Sequence, residues 1–452
     1  MKHIILYISL CCFTLGVECA KAQSWVNVGS AGFSAGPISC PRIACDTGGT
    51  PYVAYKDQFD SGKVTVMKFN GSSWVNVGAP GLPGSKGTPM SFYISLAIDK
   101  SGAPFVVFAD HVDSGRATVM KYDGSSWVYV GSRGFSDKGV TFLSIAIDTA
   151  GAPYVVYQDS VSGFKAKVMK YDGSSWVTVG GGAFSADIAG DTYITIGSDN
   201  TPYVAYNDYS VSNKGTVMKF NGSSWVVVGS AGFSSGTASP TIAVDATGTP
   251  YVAYQDVAVG GTSVLTYTGS AWVYVGSPGF SGGGSFRNTI LFDGSGVPYV
   301  SYMDFANGGR ATVMKYNGSS WVAVGSAGFT GAYPGWLSFA IDRGGTPYVA
   351  LPDSASGYKC TVMKFGAVTT SLNNADRSEV SSVSLFPNPA QKKLNLFSST
   401  PITSLLICNV LGQAVYTLKG NDTKVQVNVA ELPAGIYLIR INGTEVRQFV
   451  KE

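Results

Sequence analysis

Seven aspartates each stand six residues after a proline in this chain of 452 residues: Asp57, Asp110, Asp159, Asp208, Asp256, Asp304 and Asp353. Such a set could form a ring of carboxylates facing cations or sugar hydroxyls, with Tyr and Trp nearby for stacking. It could also end seven strands, each Asp accepting backbone N–H bonds where its chain turns. Identical copies in every unit favour the second role. A further series, Asp46, Asp99, Asp148, Asp245, Asp293 and Asp342, with Gly197 in the fourth place, reads as turn chemistry.

Other catalytic groups are scarce. No glutamate occurs between residues 19 and 378, and His111 is the only histidine past the first few residues. Glutamate-based glycoside hydrolysis is therefore excluded for this stretch. A Ser-His-Asp triad would need His111, and no nucleophile-elbow pattern accompanies it. Asp and Tyr chemistry stays open, and Arg42, Arg116, Arg287 and Arg310 fall near the loops that vary most. No Asp-x-Asp-x-Asp loop suggests calcium, and Cys40, Cys45, Cys360 and Cys408 are too scattered for zinc. No cofactor or metal is indicated, and the weight is against an enzyme.

The elements that position these residues are written in a repeat. Trp25, Trp74, Trp127, Trp176, Trp225, Trp272 and Trp321 recur in Ser-Ser-Trp-Val or a relative of it, at spacings of 49, 53, 49, 49, 47 and 49. Pro51, Pro104, Pro153, Pro202, Pro250, Pro298 and Pro347 keep the same beat. In the third unit the pattern predicts strands at Phe142–Ile147, Pro153–Tyr157, Lys167–Tyr171 and Trp176–Val179, with Asp172-Gly173-Ser174 as a tight hairpin. Four strands per unit of this length point to a β-propeller. The last unit lacks a tryptophan phrase, and the phrase at Trp25 lacks a unit. Trp25–Val28 therefore supplies the fourth strand of the seventh blade and closes the ring. Cys40 and Cys360 would then lie near that seam, where a disulfide would clamp it; unpaired core thiols are the alternative.

Position-by-position comparison of the units separates two faces. The turns before the prolines and the Asn/Asp-Gly-Ser-Ser hairpins are nearly invariant and read as support. The opposite face carries the blade-to-blade connections, which diverge at Gly84-Ser85-Lys86-Gly87, Ala186-Asp187-Ile188-Ala189, Ser281-Gly282-Gly283-Gly284 and Ala332-Tyr333-Pro334-Gly335-Trp336. A binding site belongs there. Its candidates are Phe135, Tyr193, Phe286, Tyr333 and Trp336, with the seven aspartates that follow the prolines.

Composition agrees with an all-β, turn-rich chain: 45% hydrophobic, 13% charged, 57 glycines. A net charge of +3 with no basic cluster implies no nucleic-acid partner. Lys2, the apolar run Ile4–Leu15 and Ala20-Lys21-Ala22 read as a secretory signal over residues 1–22. No other segment could cross a membrane as a helix. The propeller then spans 23–366, a polar linker 367–382, and a small Ig-like β-sandwich 383–452.

That last segment resembles the C-terminal sorting domain of type IX secretion cargo. The matching residues are Leu385-Phe386-Pro387-Asn388-Pro389, Asn409-Val410-Leu411-Gly412-Gln413, Leu432-Pro433-Ala434-Gly435-Ile436-Tyr437 and the terminal Val450-Lys451. The resemblance implies contact with the type IX machinery, export across an outer membrane, and a secreted or cell-surface location. The expectation is an exported, non-catalytic binding propeller, with a glycan or surface protein as ligand. A polysaccharide hydrolase or lyase and an adhesive structural protein are the alternatives.

Overall fold

The computed structural model describes residues 23–86, 93–367, 383–409, 413–442 and 445–452. The expected signal at 1–22, all of the expected linker but Ala367, and Val410–Gly412 of the sorting motif lie outside the described residues. Contacts divide the chain into two units, Met1–Val368 and Thr369–Glu452. Among the described residues, no helix is long and apolar enough to cross a membrane.

The first unit is a closed β-propeller of seven four-stranded antiparallel sheets. Blade 3 is typical: Val140–Ile147, Pro153–Asp159, Lys165–Tyr171 and Trp176–Thr178. Each strand lies where the repeat predicts it, with ends shifted by one or two residues. The second strand is buried at every position, because both faces of a blade pack on neighbours. In blade 7, Ser338–Ile341, Pro347–Asp353 and Lys359–Ala367 are completed by Gln23–Asn27 from the other end of the unit. Trp25 pairs with Phe365 in the register that Trp74 keeps with Phe69 in blade 1.

The repeated tryptophan ties blade to blade. In all seven units its indole N–H donates to the carbonyl of a valine that follows the preceding fourth strand, at 2.6 to 2.9 Å. At the seam the pair is Trp25 and Val324. The blade-to-blade connections are pinned as well. A hydroxyl there (Ser34, Ser85, Ser136, Ser185, Ser234, Ser281 or Thr330) accepts an N–H from a third strand at 2.8 to 3.0 Å.

The expected Cys40–Cys360 bond is not formed; both are free, buried thiols. Cys40 packs between blades 1 and 2, Cys360 between blades 7 and 1. They lie on opposite faces of the blade 1 sheet, so that sheet separates them.

The second unit is one five-stranded sheet: Val383–Phe386, Lys393–Cys408, Ala414–Asn428, Gly435–Ile441 and Glu445–Lys451. The two long strands shift register near their middles. Leu394, Leu396 and Val427 from one half and Ile407, Ile439 and Phe449 from the other share a single core. The sheet thereby makes a sandwich of its own two halves.

Candidate functional site

The seven aspartates after the prolines end the second strands, and all but the half-buried Asp353 are buried. Their carboxylates are engaged in turns. Asp57 accepts from the N–H of Phe59 at 2.9 Å, Asp159 from Val161 at 3.3 Å and Asp353 from Ala355 at 3.0 Å. Asp208 and Asp304 add threonine hydroxyls of the next strand, each at 2.8 Å. Asp110 also takes a two-point contact from Arg133, at 2.6 and 2.9 Å. Around Asp256, burial pushes the carboxyl up, but the hydroxyls of Ser235, Ser263 and Tyr254 with the Ala258 N–H hold it below the ordinary value. None of the seven lines the central cavity.

That cavity, about 400 Å³, opens on the axis of the ring, and every blade contributes to its wall through the start of its innermost strand. Four of these strands carry a bulge two residues past their start. The bulged residues Cys40, Phe142, Asp191 and Arg287 hold φ between 46 and 54°, and a bulge re-aims the side chains around it. Tyr93, Ser239 and Trp336 take the same place in the other three blades.

Two residues further on, five blades carry Ser or Thr. The hydroxyls of Ser95, Ser144, Thr241 and Ser338 accept the N–H of Ile145, Ile194, Ile290 and Ile43 in the next blade, at 3.0 to 3.3 Å. The remaining two blades place Arg42 and Tyr193 there. These side chains reach the cavity and take no part in the hydroxyl ring.

The wall is electrically lopsided. The Arg287 guanidinium lies 3.4 Å from the Trp336 ring centre and 5.0 Å from Phe286. Its Nε is buried without a hydrogen-bond partner. Arg42 donates to its neighbour's carbonyl, Pro41, at 2.9 Å. Lys56, buried, pairs in register with Ser39 beside it. No ion pair among the described residues includes Arg42, Lys56 or Arg287. Asp191 is the one carboxylate of the wall among the described residues, and its Oδ2 accepts from Ser239 at 2.6 Å. Burial, then repulsion from Arg42, lowers Arg287 to about 10. Burial lowers Arg42 and Lys56 as well. Burial raises the Tyr193 hydroxyl, and Arg42 draws it back down.

Of the aromatic candidates, Tyr193, Phe286 and Trp336 line the cavity, while Tyr333 is exposed beyond it. Phe135 is core, stacked on Trp176 at 4.0 Å. Of the arginines, Arg42 and Arg287 enter the wall, whereas Arg116 faces Asp113 at 3.9 Å and Arg310 is exposed. Tyr93, Phe142 and Asp191 were not among the expected site residues. Their signal was the same divergence that marked the loops; Phe142 opens a predicted strand, and Tyr93 and Asp191 hold the same place in blades 2 and 4.

Residues 384–452 match the family described as the secretion system C-terminal sorting domain. No curated protein matches the chain in sequence. Among solved structures, the chain is similar to PorZ of Porphyromonas gingivalis, described as an essential bacterial surface component of its type IX secretion system. That match has 15% identity and a TM-score of 0.45, and covers 91% of this chain and 59% of PorZ. It is also similar to the Aleuria aurantia lectin bound to Fucα1-6GlcNAc, at 17% identity and TM-score 0.43, covering 66% of this chain and 97% of the lectin. A third is an ulvan lyase of polysaccharide lyase family 25, at 13% identity and TM-score 0.48, covering 75% and 95%.

Proposed function

We propose that this chain is an exported binding propeller, delivered by type IX secretion, that recognises a glycan at the mouth of its central cavity. Export starts with removal of residues 1–22 and uses residues 383–452 as the sorting signal. The match of that C-terminal stretch to a secretion sorting domain supports the route. One observation carries the site: seven nearly identical blades become unlike one another where their inner strands meet the axis, and there they supply Tyr93, Phe142, Tyr193, Phe286 and Trp336. Aromatic faces among a few polar groups in a cavity of this size suit a sugar.

The hydrolase form of the enzymatic reading finds less support. Paired-carboxylate hydrolysis needs two free acids within reach of one bond, and among the described residues the wall offers Asp191 alone. A glycan array probed with the purified ring, followed by product analysis of every bound glycan, tests both readings. Binding without chain cleavage is expected. Shortened or unsaturated products would replace the binding reading with the enzymatic one. For export, cells expressing the chain without residues 383–452 should retain it in the periplasm.

A further inference from the structure

The wall of the cavity carries more positive charge than its surroundings neutralise. Arg42 from blade 1 repels Arg287 from blade 6, and that push exceeds the pull of Asp191. Both arginines are half-buried, and removing cations from water even in part without carboxylate partners carries a cost, so a chain that keeps two of them gains something from them elsewhere. Arg42 also displaces a hydroxyl that in four blades bonds the neighbouring strand. The blade forgoes an inter-blade bond to put a guanidinium at the cavity.

The geometry narrows what meets these cations. Arg287 lies flat on Trp336, which fixes the plane of its guanidinium. Its Nε is buried without a hydrogen-bond partner in the protein, and its guanidinium belongs to the lining of the cavity. A guanidinium whose plane is fixed is suited to pairing with the oxygens of a carboxylate or sulfate. Lys56, buried opposite Ser39 in the blade 1 sheet, has no ion-pair partner among the described residues. Asp191, tied to Ser239, leaves the opposite wall polar and suited to hydroxyls.

We propose that the cavity recognises the anionic group of an acidic saccharide, a carboxylate or a sulfate ester, with Arg42 and Arg287 as its direct partners. This rests on the glycan reading above and gives it a chemical class. The shared chemistry is two or three oxygens carrying negative charge on an otherwise hydroxylated ring.

Isothermal titration of the purified full chain against three probes tests it: an oligogalacturonate, a sulfated galactan oligomer and a neutral manno-oligosaccharide. At least one acidic probe should bind, and the neutral one roughly ten-fold or more weaker, since a charge-assisted pair contributes about 1.5 to 3 kcal/mol. Affinity should fall as salt rises. Arg42→Gln and Arg287→Gln should each cut acidic binding by about ten-fold or more, Arg287→Lys should restore only part of it, and Arg310→Gln should leave it unchanged. Whichever acidic probe binds identifies carboxylate or sulfate as the group. Equal binding of the neutral probe, lost in Trp336→Ala but kept in the arginine variants, would overturn the charge assignment and leave the glycan site standing. Failure of all three probes would remove both. Should a Gln variant melt early, Arg42→Lys carries the comparison.

Discussion

At the third hairpin of the ring, Asp172 accepts the N–H groups of Ser174 and Ser175 and the Ser174 hydroxyl, each at 2.8 Å. Asp123 makes the same set one blade earlier. Donation from the two backbone N–H groups and the serine hydroxyl holds both carboxyls down at about 2. A depressed acid supports the fold above its unfolded value, about 3.9, and loses that support as pH falls through the folded one. The support of these two hairpins should therefore be complete above about pH 4 and fade toward pH 2. Asn70, Asn221 and Asn317 do the same work without a charge, at 2.9 to 3.0 Å. Carboxyl titration by NMR should find Asp123 and Asp172 near 2, and Asp123→Asn should fold unchanged at neutral pH. Ordinary titration midpoints for both would show that these bonds do not hold in solution.

The fourth strand shows why the repeat is so regular. After it, Gly131 sits at φ +68°, and a Cβ there would lie 2.8 Å from the Tyr171 ring and 3.1 Å from Trp176. Gly173, in the hairpin at φ +104°, faces open space. Gly173→Ala should cost only backbone strain, about 1 to 2 kcal/mol. Gly131→Ala adds a clash that displaces the indole bonded to Val130 at 2.7 Å, for roughly 3 kcal/mol in all. Urea midpoints of the two variants measure the difference, and equal losses would deny the clash. Trp176→Phe keeps the ring but strands the Val130 carbonyl, for about 1 kcal/mol.

These constraints recur in every blade, which is why the strands, turns and closing phrase could be read from one chain compared with itself. The cavity was less legible for the opposite reason. Arg42 and Arg287 stand 245 residues apart in sequence, and only the order of blades 6, 7 and 1 around the axis brings them to one wall. The loops drew attention because they vary most, and one of them supplies Trp336, yet in four blades the divergence that builds the wall lies at bulges within strands. The Ser/Thr series broken by Arg42 and Tyr193 was visible in the sequence. Its meaning depended on knowing that the hydroxyls bond the next blade.

At the scale of the molecule, the two units have separate cores, so removing residues 383–452 should leave the melting of the propeller unchanged. The ring itself depends on one strand held without a covalent link to its blade. Gln23–Asn27 pairs along Lys359–Ala367, Trp25 stacks on Phe329 at 4.0 Å, and its indole reaches Val324. Detaching this strand exposes a sheet edge, a template for pairing with another chain. It also loosens the seam where blade 7, bearing Trp336, meets blade 1, bearing Arg42. A variant beginning at Gly29 should melt earlier, associate with rising concentration on light scattering, and bind the acidic probe more weakly than the full ring. A peptide of sequence Gln23–Val28 added in trans should restore all three properties together, because one strand serves closure, edge protection and the shape of the wall. Recovery of melting without recovery of binding would separate the seam from the site, and place the arginine wall under the control of the inner strands alone.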